Sequence, residues 1–127
     1  MKPAKRGYIV WCLTDSRTGF VSQFDVYSGR SDTQGYSSFS LGERVVLSLC
    51  DAYIHSHRLI AFDNFVTSYQ LLKTFNERSL YTVGTIRGSR KGLLDILKRN
   101  DRMQRGEFMF RTKGCVAATK WQDKKCL

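Results

Sequence analysis

The sequence predicts an α/β protein in which short strands alternate with helices. Runs of apolar, β-forming residues recur along the chain, and two segments between them carry helix-start signals followed by apolar residues at helical spacing. The chain has 127 residues, enough for one domain that buries about two thirds of its unfolded surface. Because strands alternate with helices, we expect a mixed sheet with parallel neighbours and flanking helices.

The N-terminal part predicts a β-hairpin followed by a loop. Residues 8–13 (YIVWCL) are continuously apolar, as in a central strand that is covered on both faces. Polar residues 15–19 then form a turn, and residues 20–27 place apolar and polar side chains on opposite sides, as in a returning strand. Residues 28–39 are polar and rich in Ser and Gly, and they predict a loop, or an irregular strand at most.

Two capping boxes predict the starts of two helices. Ser40 and Glu43 have the spacing of such a box and begin a helix that we place over residues 41–54. Thr67 and Gln70 have the same spacing before a second apolar helical segment. The apolar residues of the two helices are Leu41, Val45, Leu49 and Ala52 in the first, and Leu71, Leu72 and Phe75 in the second.

Further apolar stretches predict the remaining strands. Residues 59–62 form a short strand before the second helix, and residues 80–86 form another after it. Residues 107–111 and 116–121 predict a hairpin that turns at Lys113-Gly114. Residues 92–97 predict one or two helical turns.

The cysteines and histidines give no strong metal signal. The cysteines contain no C-x-x-C pair, so we expect reduced thiols that pack as small hydrophobes, against a zinc or disulfide framework. His55 and His57 either ligate a metal or interact with the dipole at the end of the first helix, and we favour the second role. The four cysteines are Cys12, Cys50, Cys115 and Cys126.

Composition excludes two further classes of protein. Apolar residues make up 42% of the chain and aromatic residues 13%, too much for a disordered basic tail. The longest apolar run is about a third of the roughly 20 residues that cross a bilayer. No charged-then-apolar leader begins the sequence. We therefore expect a soluble, intracellular protein without a membrane span.

The positive charge is concentrated in the last third of the chain. The sequence has 21 Lys and Arg against 11 Asp and Glu, a net charge of +10. Residues 1–86 contain 9 basic and 7 acidic residues, whereas residues 87–127 contain 12 and 4, a net charge of +8. Such a block favours a polyanionic partner, most simply a nucleic acid, over a merely solvated lysine-rich face, because arginine binds phosphate bidentately.

Two aspartates follow predicted strands. Asp15 and Asp63 each stand just past a short apolar strand, where side chains leave an open α/β sheet. If the two strands are parallel neighbours, the carboxylates form a cradle for divalent metal ions such as Mg²⁺, which can promote phosphodiester cleavage. The alternative is that each aspartate only starts a turn and accepts hydrogen bonds from its own backbone.

Six groups of residues along the chain match a known pattern. They are Lys2-Pro3 with Gly7, Leu13-Thr14-Asp15-Ser16 with Thr18-Gly19, Leu41-Gly42-Glu43 with Val45-Val46 and Leu49, Phe62-Asp63-Asn64-Phe65 with Thr67-Ser68 and Leu71-Leu72, Gly84-Thr85-Ile86-Arg87 with Arg90-Lys91-Gly92, and Lys120-Trp121 with Asp123. The most specific part is the Asp63 segment followed at this distance by the Gly84 segment. On these residues, the chain from Lys2 to about Lys125 resembles the catalytic domain of piggyBac-type transposases and the cellular proteins derived from them.

The resemblance implies a ribonuclease H-like mixed sheet with flanking helices, incomplete here, over residues 1–86. It implies a basic insertion that contains a β-hairpin, and the start of the return to the core, over residues 87–127. The family uses an Asp-Asp-Asp triad with Mg²⁺ for DNA strand cleavage and transfer. Asp15 and Asp63 match the first two aspartates. The DNA contacts expected first are Arg87, Arg90 and Lys91.

The third family aspartate lies beyond the strand that follows the Lys-Trp-x-Asp segment, and the sequence stops at Leu127 before it. Asp123 belongs to that segment and is not the third ligand. We therefore expect weakened metal binding and no transposition by this chain alone. The resemblance further implies a nuclear protein, and it leaves open a homodimer of the full-length protein. Two alternatives are a domesticated, non-catalytic DNA-binding protein and a degenerate transposon remnant.

Overall fold

A computed structural model of the chain describes residues 7–28, 38–90, 93 and 103–123. The chain divides into two compact units, Met1–Ile54 and His55–Leu127. Each unit combines strands with a helix, which confirms the predicted α/β class. The described strands pair two by two, in two antiparallel hairpins and one parallel pair, rather than in one larger mixed sheet.

The first unit begins with the predicted hairpin. Strands β1 (Val10–Thr14) and β2 (Val21–Val26) are antiparallel, with Cys12 opposite Phe24. The expectation that β1 is covered on both faces is wrong for the described part of the chain. Alternate residues of β1 are exposed, and only Trp11 and Leu13 between them are half-buried. An apolar run does not reveal by itself how many faces of a strand are covered.

Helix α1 (Leu41–Cys50) starts at the predicted capping box. The backbone N–H of Ser40 donates to Oε2 of Glu43 at 2.7 Å, and the Ser40 side chain accepts from the Glu43 backbone. The α-helix is shorter than the predicted 41–54, because a 3₁₀ turn over Asp51–Tyr53 follows it. Its buried residues are Gly42, Glu43, Val45, Leu47 and Cys50.

The cysteines of the described residues are free thiols. Cys50 is 1% exposed, as expected for a small hydrophobe, and burial raises the pKa of its thiol to about 11. The expectation of burial is wrong for Cys12 and Cys115, which are both exposed. Cys126 lies outside the described residues.

The second unit is built on a β-α-β arrangement. Strands β3 (Leu59–Phe62) and β4 (Tyr81–Gly84) are parallel neighbours, and helix α2 (Tyr69–Glu77) connects them. Both strand predictions are confirmed, although β4 ends before the predicted residue 86.

The predicted start of α2 is wrong by one residue. The N-cap is Ser68, whose hydroxyl accepts from the N–H of Leu71 at 3.1 Å. The Thr67 hydroxyl is not available for this role, because it donates to the backbone carbonyl of Asp63 at 2.6 Å. Ser68 directly follows Thr67 and also carries a hydroxyl, so the capping-box spacing selected the wrong one of the two.

The core of the second unit is formed mainly by α2 and the segments that flank it. The rings of Phe62 on β3 and Phe75 on α2 are tilted, with their centroids 6.3 Å apart. Burial of these apolar side chains is the main stabilising contribution of the unit. The fully or nearly fully buried apolar residues of the unit are Val66, Leu71, Phe75 and Leu80.

The predicted second hairpin is also confirmed. Strands β5 (Phe108–Lys113) and β6 (Val116–Trp121) are antiparallel, and Gly114 in the turn has a φ of +57°, a conformation that suits glycine. The helical turns predicted over 92–97 lie outside the described residues, apart from Leu93. Within the described ranges, no helix is long and apolar enough to span a membrane.

Candidate functional site

Asp63 lies in a tight turn at the carboxyl end of β3. Its Oδ1 accepts a hydrogen bond from the N–H of Phe65 at 2.9 Å. Its backbone carbonyl accepts from both the hydroxyl and the N–H of Thr67, at 2.6 and 3.3 Å. The carboxylate is exposed, whereas Thr67 is 2% exposed. A buried side chain therefore holds the backbone of an exposed acidic residue.

Asp15 has the same local geometry at the carboxyl end of β1. Its Oδ1 accepts from the N–H of Arg17 at 2.7 Å. Its N–H donates to the carbonyl of Phe20, and its own carbonyl accepts from Gly19, both at 2.8 Å. The turn-forming role considered as the alternative is thus present in both aspartates.

That turn-forming role uses only one carboxylate oxygen of each aspartate. No described residue donates to Oδ2 of Asp15 or of Asp63. Both aspartates are exposed residues. The hydrogen bond to Oδ1 restrains the orientation of each carboxylate, and Oδ2 keeps its capacity to accept.

The donor chemistry of the two aspartates suits a hard cation. Mg²⁺ takes oxygen ligands and is often held by one or two carboxylates together with water. Asp15 lies in the first unit and Asp63 in the second. Among the described residues, no group of three or more His, Cys, Asp or Glu side chains is placed to hold a metal. Each aspartate therefore offers the type of donor atom that Mg²⁺ prefers, but as a single carboxylate and not as part of a three-residue cluster.

Within the part of the chain that the structure describes, His55 and His57 also belong to no such cluster. They lie in the loop before β3, with φ angles of +61° and +56°, and not on the last turn of a helix as expected. The N–H of His55 donates to the carbonyl of Arg78, and its Nδ1 lies 3.3 Å from the Ser79 hydroxyl. The ring centroids of His57 and Tyr81 are 6.2 Å apart. These contacts join the loop before β3 to the segment that leads into β4.

Two arginines reach back to the Asp63 turn. Nε of Arg87 donates to Oδ1 of Asn64 at 2.7 Å. Nη2 of Arg90 donates to the backbone carbonyl of Phe65 at 3.2 Å. The sequence predicted both arginines as DNA contacts and did not predict these hydrogen bonds. The third nominated residue, Lys91, lies outside the described residues.

The parallel register explains why the arginines lie there. Phe62, the last residue of β3, pairs with Gly84, the last residue of β4. The segments that continue from the two strands therefore leave the sheet side by side, and Asn64 meets Arg87. The sequence predicts the β-α-β order, whereas the register that brings Asn64 to Arg87 is visible only in the structure.

Gly84 is required at this point of the sheet. A Cβ atom at position 84 would lie 2.5 Å from Oγ1 of Thr67 and 2.9 Å from both the backbone oxygen and a ring carbon of Phe62. Such distances are shorter than van der Waals contact. The absent side chain lets β4 approach the Asp63 turn closely.

Comparisons with known proteins match all or nearly all of the chain. The family model described as Transposase IS4 matches residues 1–127. PiggyBac transposable element-derived protein 2 of Homo sapiens is 28% identical over 131 residues, which covers 96% of this chain and 22% of that protein. A cryo-EM structure of the piggyBac transposase synaptic complex with hairpin DNA matches with a TM-score of 0.85 and 30% identity.

The match to the solved structure covers 97% of this chain and 26% of the transposase chain. The chain therefore spans about a quarter of the length of these two relatives.

Proposed function

Because the chain belongs to the Transposase IS4 family, as a fragment related to piggyBac transposases, we propose a role for its two strand-end aspartates. Asp15 and Asp63 supply two of the carboxylates that hold Mg²⁺ for DNA strand cleavage and strand transfer. The observation that carries this proposal is their shared geometry: an exposed aspartate at a strand end, with Oδ1 fixed by the backbone and Oδ2 open.

The bound metal and the residues of the chain make different contributions to the proposed reaction. When bound, the metal activates a water or hydroxyl nucleophile and stabilises the leaving oxygen of a phosphodiester. The chain contributes one open oxygen from each aspartate and fixes its direction through the i to i+2 hydrogen bond at Oδ1. The hydroxyl of buried Thr67 donates to the backbone carbonyl of Asp63 and so holds the turn that carries this aspartate. A pre-positioned ligand avoids the cost of ordering it when the metal binds.

The domain organisation follows the same family. We assign residues 1–86 to a partial ribonuclease H-like core, which the β1–β2 hairpin and the β3-α2-β4 arrangement support. Residues 87–127 are assigned to the basic insertion and the start of the return to the core, which the β5–β6 hairpin supports.

DNA is the partner that the charge favours. Residues 87–127 carry a net charge of +8, and the solved relative is named as a complex with hairpin DNA. Arg87 and Arg90 each use one N–H donor on the Asp63 turn, and their remaining donors suit phosphate oxygens. As a DNA-acting protein of this family, the chain is proposed to work in the nucleus and, within the full-length protein, as a homodimer.

Titration with Mn²⁺ tests the carboxylate assignment on this chain. We expect Asp15→Asn and Asp63→Asn each to weaken Mn²⁺ binding by about tenfold or more, because each removes a charged ligand. Asp25→Asn in the first unit and Asp123→Asn in the second are matched controls, since both residues are exposed aspartates outside the proposed site. Equal effects of all four substitutions would show diffuse surface binding and reject the assignment.

Fluorescence anisotropy with duplex DNA tests the proposed partner. Affinity should fall by at least about tenfold between 50 and 200 mM salt, because phosphate contacts release counterions. Asp15→Asn and Asp63→Asn should leave DNA affinity unchanged or slightly increased, because each removes a negative charge. Binding that is insensitive to salt, or absent at 50 mM, would refute DNA as the partner of this chain.

A further inference from the structure

We infer that Arg87 is a positioning residue for Asp63 and that it acts through the side chain of Asn64. The inference rests on the proposed function, in which Asp63 is a metal ligand. Arg87 itself makes no hydrogen bond to the Asp63 carboxylate among the described contacts. Its effect passes through the neighbouring residue, whose side-chain oxygen accepts from Nε at 2.7 Å.

The hydrogen bond fixes the peptide that carries Asp63. Asn64 directly follows Asp63, and its side chain is anchored to a segment that lies three residues beyond the end of β4. The next residue, Phe65, is held through its carbonyl by Arg90, and its N–H donates to the Asp63 carboxylate. Two successive residues of the turn are thus tied to the extension of β4. The direction of the Asp63 carboxylate depends on both hydrogen bonds, the one from Arg87 and the one from Arg90.

The position of the donor atom matters more than the charge of Arg87. The acceptor is a neutral amide oxygen, so the contact is a hydrogen bond and not an ion pair. Nε is the fourth atom of the arginine side chain beyond Cα. A glutamine side chain carries its amide nitrogen at the same place, without the positive charge. A methionine side chain has a similar length and carries neither a donor nor a charge.

A purely electrostatic role would change metal affinity in the opposite direction. A positive charge near a cation site repels the cation, so that its removal should strengthen Mn²⁺ binding. Loss of positioning should weaken it. Arg87→Gln and Arg87→Met remove the same charge, and the difference between them isolates the N–H donor.

Titration of Arg87→Gln and Arg87→Met with Mn²⁺ therefore tests the inference. We expect Arg87→Met to bind about tenfold more weakly than Arg87→Gln, the usual size of an effect on a residue that orients a metal ligand. In an Asn64→Ala background, the two variants should bind equally, because the acceptor is gone. Equal affinities of Arg87→Gln and Arg87→Met in the presence of Asn64 would overturn the inference.

Hydrogen exchange separates failure of this inference from failure of the proposed function. If Asp63→Asn leaves Mn²⁺ binding unchanged, the metal assignment is rejected, and the role of Arg87 is then decided by the amide protons of Phe65 and Thr67. Both donate to Asp63, and both should exchange faster in Arg87→Met than in Arg87→Gln. Equal exchange rates would reject the positioning role.

The unfolding midpoints control for a loss of the fold. Arg87 is exposed, so both variants should keep the midpoint of the parent chain. Should Arg87→Met nevertheless unfold, Asn64→Ala with Arg87 intact carries the same expectation of weakened Mn²⁺ binding and faster exchange. Parent-like values in Asn64→Ala would count against the inference.

Discussion

The hydroxyl of Thr67 fills the space that a side chain at Gly84 would need. A Cβ atom at position 84 would lie only 2.5 Å from this oxygen. The same hydroxyl donates to the backbone carbonyl of Asp63. The two residues therefore connect the end of β4 to the turn that presents the candidate ligand.

Gly84→Ala should lower the free energy of unfolding by about 1–3 kcal/mol, the usual cost of overpacking. The added methyl group meets the backbone of Phe62 as well as Thr67, so rotation of one side chain cannot remove the clash. Urea denaturation measures the change. Gly88→Ala is the control, because a Cβ there meets nothing within 4 Å. Equal stability of the two variants would contradict the close approach of β4.

Thr67→Val should lower the free energy of unfolding by about 1 kcal/mol, the net value of one hydrogen bond. Valine keeps the shape of threonine and removes only the donor to Asp63. The amide of Thr67 should also exchange faster with solvent. Thr82→Val on β4 provides the comparison, since the Thr82 hydroxyl makes no hydrogen bond to a described residue. A loss of stability that is the same at both positions would argue against a specific role for Thr67.

Ser40→Ala should destabilise α1 by about 1 kcal/mol, because the first turn loses its side-chain acceptor. The reciprocal bond from the Ser40 N–H to Glu43 is retained, which keeps the loss at this modest size. Thermal unfolding followed by circular dichroism measures the effect. Ser48→Ala on the exposed part of the same helix should be neutral or slightly stabilising. A neutral Ser40→Ala would show that the box does not support the helix.

Alkaline pH should destabilise the first unit through Cys50. Burial raises the pKa of this thiol from 9.0 to about 11, so the unfolded chain releases the proton at lower pH than the folded chain. The contribution of Cys50 to stability is complete below pH 9 and falls as pH rises from 9 to about 11, by up to about 2–3 kcal/mol. Urea denaturation across this range should show a steeper decline for the parent chain than for Cys50→Ala. Parallel declines would contradict the shift.

Local patterns in the sequence predicted most of the secondary structure. Both hairpins, both helices and the strands on either side of α2 depend on neighbouring residues, such as the Ser40 and Glu43 pair, and they are present in the structure. The wrong start of α2 arose where two local solutions compete. Thr67 was predicted as the cap although Ser68 beside it also carries a hydroxyl, and only the position of the Asp63 carbonyl decides between them.

The candidate site was less predictable, because it depends on contacts between distant segments. Asp15 and Asp63 could be selected from their places after strands. The hydrogen bonds from Arg87 and Arg90 required the register of β3 against β4. Likewise, the sequence shows Gly84 only as a glycine near a strand end. The need for glycine at this position comes from the contact with Thr67, which precedes α2 in the chain, whereas Gly84 follows it.

The contact between Asn64 and Arg87 also has a consequence for the order of folding. The two residues are separated by 23 positions, and α2 and β4 must be in place before the hydrogen bond can form. Contacts between such distant positions require loop closure and form later than local ones. The Asp63 turn should therefore acquire its final geometry only after the β-α-β arrangement is complete. A partly folded chain would contain the acidic residue without presenting it as an ordered ligand.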